Sequence, residues 1–244
     1  MPGAAELRLR IARKSYLATG GERREVLRDV AFSGRGGEIL ALLGPSGVGK
    51  TTVLRIVLGL ERDFTGSIAC PAGRIGVMFQ EPRLLPWLTV AANLALVGGD
   101  RAHEISELLT EVGLPGTENL YPRALSLGMA RRVALARALI GSPRLLCLDE
   151  PFASLDPRTA AELALLVART ARRLGALVLL STHDLDQVLS IADRLLVLSG
   201  KPATLAADWP TNRTTQSANG AALQIKQDLL TRFPFLRAEV EATP

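Results

Sequence analysis

Eight consecutive residues, Gly44-Pro45-Ser46-Gly47-Val48-Gly49-Lys50-Thr51, set a glycine, four residues, and then Gly-Lys-Thr. An apolar run, Glu38 to Leu43, precedes them and a helical pattern, Lys50 to Leu58, follows. Each residue type has a physical use in that order. Glycines let the backbone curl until successive N–H groups point inward at an anion, and the start of the helix adds its positive end. The loop N–H groups from Ser46 to Thr52 can then hold phosphates, Lys50 can reach the outer ones, and the Thr51 hydroxyl can hold Mg²⁺. The ligand implied is a nucleoside triphosphate.

A second run, Arg144-Leu145-Leu146-Cys147-Leu148-Asp149-Glu150-Pro151, ends an apolar strand on two acids. Alone it is equally a strand closing in a charged turn. Downstream of a phosphate loop, Asp149 suits Mg²⁺ and Glu150 suits the water that attacks the γ-phosphate. His183 follows the apolar run Ala176 to Ser181 and falls at a C-terminal strand end, the edge where open α/β sheets bind ligands. A lone histidine is more often structural, and only its position speaks for function. Gln80 ends the run Ile75 to Phe79; it is either a polar strand cap or a group facing the phosphates, and spacing does not separate the two.

The elements that must position these residues are legible as short apolar strands at Leu7 to Ala12, Val26 to Phe32, Glu38 to Leu43, Ile75 to Phe79, Leu145 to Leu148, Ala176 to Leu180 and Leu195 to Leu198. The last five are uniformly apolar and alternate with helical stretches, which predicts parallel strands covered on both faces. The first two have polar neighbours and are expected to form an antiparallel flap beside the nucleotide. Between Pro86 and Ile140 only helical patterns occur (Thr89 to Val97, Arg101 to Val112, Ser126 to Ile140), divided by Gly98-Gly99, Gly113, Pro115-Gly116 and Pro122. This predicts a helical insertion. Another helix is expected from Pro157 to Leu174, capped by Asp156 and ended by Gly175. Residues 207–220 read as a polar loop, and Ala222 to Phe233 as an amphipathic helix packed on the body.

Composition narrows the class. The chain has 244 residues, 48% of them hydrophobic, which suits one globular α/β unit. No apolar run reaches the roughly 18 residues that span a bilayer, and the first residues lack a secretory pattern. Cys70 and Cys147 have no metal-type spacing. The net charge of +5 rests on arginines scattered among carboxylates and apolar residues, with few aromatics, so it describes solvated faces and no nucleic-acid partner is expected.

In order and spacing these motifs resemble the ATPase subunits of ATP-binding cassette (ABC) transporters over about residues 5–205. The resemblance identifies the Walker A loop (Gly44, Pro45, Ser46, Gly47, Val48, Gly49, Lys50, Thr51), the Q-loop Gln80, the Walker B pair Asp149 and Glu150, the D-loop Ser154-Leu155-Asp156 and the switch histidine His183. Tyr16 stands where the family has its adenine-stacking aromatic. The stretch from Met78 to Val90 looks like the importer branch for nitrate, sulfonate and taurine-type solutes.

That resemblance implies a P-loop NTPase fold: an α/β core with a mainly parallel sheet, an N-terminal antiparallel β flap and an inserted α-helical subdomain. It implies an ATPase domain over residues 1–206, with 1–85 and 141–206 as catalytic core and flap and 86–140 as the helical signature subdomain. Residues 207–244 then form an extension packed on the core. ATP and Mg²⁺ are the implied cofactors, with Glu150, His183, Gln80 and Lys50 catalytic, and with Thr51, Gln80 and Asp149 on the metal. Tyr16, the Walker A residues, Thr52, Ser126, Gly128 and Asp156 contact nucleotide. The implied assembly is a homodimer closing head to tail over two ATP molecules on separate transmembrane permease subunits, with a periplasmic or extracellular solute-binding protein as an optional partner. Its implied place is the cytoplasmic face of the inner membrane.

The signature segment is Leu125-Ser126-Leu127-Gly128-Met129, where the family usually has Leu-Ser-Gly-Gly-Gln. Ser126 and Gly128 are kept, Met129 is a variant met in the family, and Arg131 stands where a glutamine is common. Leu127 is the departure; a leucine fits there if the backbone keeps φ negative. Rival readings are an exporter or lipid-trafficking cassette, a non-transport cassette acting on nucleic acid, and a nucleotide-dependent assembly module. A small-molecule kinase would leave the signature-like helix and His183 without a role.

Overall fold

The computed structural model describes residues 6–17, 21–153, 155–211 and 218–238. Its strands are β1 (Glu6–Leu17), β2 (Arg23–Arg35), β3 (Ile39–Leu43), β4 (Thr65–Ala69), β5 (Ile75–Met78), β6 (Leu145–Asp149), β7 (Leu177–Thr182), β8 (Arg194–Gly200) and β9 (Ala203–Pro210). Its α-helices are α1 (Lys50–Val57), α2 (Val90–Gly98), α3 (Ile105–Glu111), α4 (Leu127–Leu139), α5 (Pro157–Leu174), α6 (Leu185–Leu189), α7 (Ala218–Arg232) and α8 (Phe235–Ala238).

The described strands form one sheet in the order β4-β1-β2-β9-β8-β3-β7-β6-β5. Its half from β8 to β5 is parallel throughout, as the uniformly apolar runs predict. Side chains of these strands alternate between two cores. Ile39, Ala41 and Leu43 face the helical layer of α4 and α5, whereas Leu40 and Leu42 face α1 and the flap. Strand β6 divides in the same way, Leu146 and Leu148 to one side and Leu145 and Cys147 to the other. A strand covered on both faces has no polar side to spare, which is why these segments lack the apolar–polar alternation of a half-exposed sheet. The flap is the antiparallel set β1, β2 and β4, also as expected for its first two strands.

Helix α5 has the predicted bounds, because both ends are chemically specified. The Asp156 carboxylate accepts from Thr159 N–H at 3.0 Å, Pro157 opens the first turn, and Gly175 closes it at φ 59°. The expected helix from Arg101 to Val112 divides instead into a 3₁₀ turn, Gly99–Glu104, and α3. The loop expected over 207–220 opens as strand: β9 runs to Pro210, paired antiparallel with buried β8. Its composition (Ala, Asp, Pro) is poor for a strand, and backbone pairing with β8 overrides it. Strand β4, rich in small residues, and the short α6 have no counterpart in the sequence reading. The C-terminal helix starts at Ala218, four residues before the expected Ala222, and Leu229, Phe233 and Leu236 are buried against the helical layer.

Arg194 fastens the end of β9 to the sheet. Its guanidinium donates to both oxygens of Asp208, to Glu38 and to the Ser33 carbonyl, and the bonds to Asp208 hold its pKa above the ordinary arginine value.

Candidate nucleotide site

Four neighbouring strands, β3, β7, β6 and β5, end on the same edge of the sheet, and each delivers polar residues there. After β3 the chain turns through Gly44 to Gly49. Gly49 precedes α1 at φ 119°, and a side chain on it would bring its Cβ to 2.7 Å from Leu27 Cδ2. Only glycine meets both demands, so the flap can press directly on the loop. Helix α1 then begins with no side-chain cap and no acid in its first turn. A helix start left in that state suits an anion.

Lys50 is buried, and its ammonium donates to the carbonyls of Gly44 and Pro45, which curls it back over the loop. It lies 3.9 Å from Glu150 Oε1. The Thr51 hydroxyl donates to Asp149 Oδ2 at 2.9 Å. The other Asp149 oxygen accepts from the Ser181 hydroxyl, which in turn accepts from Glu150 N–H at 3.2 Å. Glu150 takes φ 49°, a left-handed backbone uncommon for a residue with a side chain. Its N–H also donates to the Ser181 carbonyl at 3.1 Å, so that conformation is held at two points. The result aims the Glu150 carboxylate at His183, whose Nδ1 lies 3.0 Å from Oε2. With the proton on Nδ1, the histidine donates and the carboxylate accepts.

The hydroxyl of Thr51 and the carboxylate of Asp149 are hard oxygen donors facing each other beside Lys50, a pairing that suits Mg²⁺. Phe79 lines a small recess with Thr51 and Asp149. Gln80 is exposed just past β5; since Met78 pairs with Leu148, it stands level with Glu150 on the next strand. Tyr16 lies in β1 opposite Arg24, and two positions earlier Lys14 pairs with Leu27, the residue that touches Gly49. The flap therefore carries Tyr16 to the flank of the loop.

A second group gathers at the start of α4. Ser126 is its N-cap, accepting from Met129 N–H at 3.2 Å. Leu127 is the first helical residue, outside the positive-φ region and 56% exposed, so the backbone accommodates it as expected. A Cβ on Gly128 would stand 3.4 Å from Leu155, in the loop that runs to Asp156. Bonds from the Thr159 hydroxyl and N–H hold the Asp156 carboxyl below the usual carboxylate range. Ser154, the first D-loop residue, lies outside the described residues. Among the described residues, no hydrogen bond or ion pair joins Ser126, Gly128 or Asp156 to the Lys50–His183 group.

Two contributors, Ser181 and Arg137, have no role in the sequence reading, and a third, Arg131, enters it only as a departure from a common glutamine. Ser181 braces both acids, and its signal was a polar residue at the end of a buried strand, two before His183. Arg131 donates to the Ala153 carbonyl and so ties α4 to the segment after Glu150. Arg137 donates to the carbonyls of Pro82 and Arg83 at 2.9 Å each, tying the same helix to the segment after Gln80.

Comparison with known proteins agrees with this geometry. The family model described as ABC transporter matches residues 27–153. The chain is 45% identical over 210 residues to aliphatic sulfonates import ATP-binding protein SsuB 2 of Pseudomonas syringae pv. tomato, covering 85% of this chain and 88% of that protein. It is 43% identical over 226 residues to SsuB 1 of Xanthomonas axonopodis pv. citri, covering 85% and 90%. Among solved structures it resembles a dimeric ATP-binding cassette in a post-hydrolysis state bound to ADP and Pi, with a TM-score of 0.75, 27% identity, and 84% and 98% of the two chains covered. A family match over more than half of its residues and relatives of this identity over most of their length establish that the chain belongs to the ABC transporter family, as one of its ATP-binding ATPases.

Proposed function

We propose that this chain is the ATP-hydrolysing subunit of an importer of aliphatic sulfonates, working as a homodimer under separate permease subunits on the cytoplasmic side of a membrane. The single observation that carries hydrolysis is the Asp149–Ser181–Glu150–His183 chain of hydrogen bonds beside Lys50. The solute class rests on the names of the relatives, which are aliphatic sulfonate import proteins at 43–46% identity.

In this reading Lys50 leaves the Gly44 and Pro45 carbonyls for the β- and γ-phosphates of ATP, and the loop N–H groups from Ser46 to Thr52 bind the remaining oxygens. Thr51, Asp149 and Gln80 hold Mg²⁺, which when bound offsets phosphate charge. Glu150 takes a proton from the water that attacks the γ-phosphate, and His183 orients Glu150 and the departing phosphate. Tyr16 stacks on adenine. Ser126, Gly128 and Asp156, which make no hydrogen bond or ion pair with the Lys50–His183 group among the described residues, serve the nucleotide held by the partner, so the site is complete only in the dimer. Arg131 and Arg137 let α4 pass closure to both the Glu150 and Gln80 segments. Residues 86–140 act as the signature subdomain within an ATPase domain of residues 1–206, and 207–244 as a packed extension. A solute-binding protein outside the membrane selects the sulfonate.

The test is ATP hydrolysis in proteoliposomes holding this subunit, the permease encoded beside it and its solute-binding protein. An alkanesulfonate is expected to raise turnover at least about fivefold, as binding-energy coupling of about 1 kcal/mol would give, and nitrate is not. Stimulation by nitrate alone would assign a different solute.

A further inference from the structure

The flap contains a charged side chain that the proposed mechanism does not use. Lys14 is 2% exposed, although it belongs to an edgeward strand otherwise patterned with Leu7, Leu9 and Ile11 inward. The alternation shifts phase after Ile11, where the pairing with β4 slips, and this turns Lys14 inward. Its ammonium donates to the Asp63 carbonyl at 2.6 Å and lies 3.0 Å from Glu61 Oε1 and 3.7 Å from Asp63 Oδ2. It also sits over the Tyr16 ring, 4.3 Å from the centroid.

Its anchors lie in the segment that follows the phosphate-binding helix. Leu60 and Glu61 both donate their N–H to the Arg55 carbonyl in the last turn of α1, so the segment carrying Glu61 and Asp63 is tied to the end of that helix. Burial pushes the Glu61 carboxyl up, yet bonds from Lys14, from Asp63 N–H and from Tyr16 more than offset it and hold it low. One ammonium thus joins the ring on β1 to the helix that begins at Lys50. With a cation on one face, stacking is left to the other, and Tyr16 as a whole is 36% exposed.

We infer that Lys14 is a positioning residue for the nucleotide base: it fixes the Tyr16 ring relative to α1 and reserves its open face for a purine. The inference rests on the reading of Tyr16 as the stacking residue. A ring already held at the base-to-phosphate spacing loses less freedom when ATP binds. The attraction between cation and ring also helps to hold the ring in place.

Equilibrium titration with ATP and with inorganic tripolyphosphate separates base from phosphate. Lys14→Met is expected to weaken ATP about fivefold, the size of one partly buried cation–ring contact, and to leave tripolyphosphate within about twofold. Lys14→Arg, which keeps the charge, is expected to restore most of the ATP affinity. Equal weakening of both ligands would make Lys14 a brace of α1 only, and an unchanged ATP-to-tripolyphosphate ratio would overturn the inference. If Lys14→Met fails to fold because Glu61 loses its cation, the double variant Lys14→Met, Glu61→Gln removes that charge, and the same ratio is read. Tyr16→Ala distinguishes the two levels. Unchanged ATP affinity in Tyr16→Ala would remove the stacking reading and the inference with it. Weakening in Tyr16→Ala but not in Lys14→Met would remove the inference alone.

Discussion

Replacing Glu150 with glutamine is expected to lower ATP hydrolysis by about a thousandfold while ATP still binds at least as tightly as to the wild type. The substitution keeps size and shape. The two bonds that hold the left-handed backbone come from the Glu150 N–H to Ser181, so the loop geometry does not depend on the side chain. The amide oxygen can still accept from His183 Nδ1–H at the 3.0 Å separation seen for the carboxylate. What is lost is an acceptor basic enough to take a proton from water. What is also lost is a negative charge 3.9 Å from Lys50, one that would face the γ-phosphate, so affinity should not fall. Phosphate release and equilibrium ATP binding check the two halves separately. Turnover within tenfold of wild type would move the base elsewhere.

Replacing Lys50 with alanine is expected to weaken ATP binding at least about a hundredfold and to leave the nucleotide-free protein folded. Two charge-assisted bonds to phosphate are worth about 3 kcal/mol after the exchange is counted, because the lysine gives up the Gly44 and Pro45 carbonyls to make them. The Gly44 bond is buried and the Pro45 bond partly so, but truncation to alanine opens space beside both carbonyls that water can enter, so stability without nucleotide should change little. Thermal unfolding reads both effects in one experiment. Wild type should melt higher with saturating ATP, and Lys50→Ala should melt at one temperature with or without it. An undiminished ATP-dependent rise in the variant would show that the loop N–H groups suffice.

The parts of this site that were legible in sequence are those whose chemistry is local. A loop that binds phosphate through its own backbone needs glycines at fixed offsets, so Gly44 to Thr51 carry their signal in eight residues. Asp149 and Glu150 are legible because a charged pair closes an uninterrupted apolar run, and Asp156 and Ser126 because capping is decided within three residues. The rest depends on what the fold brings together. Ser181 is 32 residues from the aspartate it braces, and nothing near it in sequence marks that bond. Arg131 and Arg137 are ordinary arginines in a helix until carbonyls of the 82–83 and 153 segments meet them. Lys14 is one of 29 lysines and arginines, and its burial follows from a slip in strand pairing. Strand β9 shows the same limit for the fold, since its residues favour a loop and β8 makes them a strand.

The proposed sharing of each site between Lys50 of one copy and the Ser126–Gly128 segment of the other has a direct consequence, because each nucleotide then needs both copies of the chain. The most direct measurement is the mass of the Glu150→Gln protein in solution, by size exclusion with light scattering, with and without Mg-ATP. The expected result is a monomer without nucleotide and a doubled mass with it, since ATP that is bound and not hydrolysed holds the two copies closed. A monomer that demonstrably carries ATP would contradict a site shared between two chains.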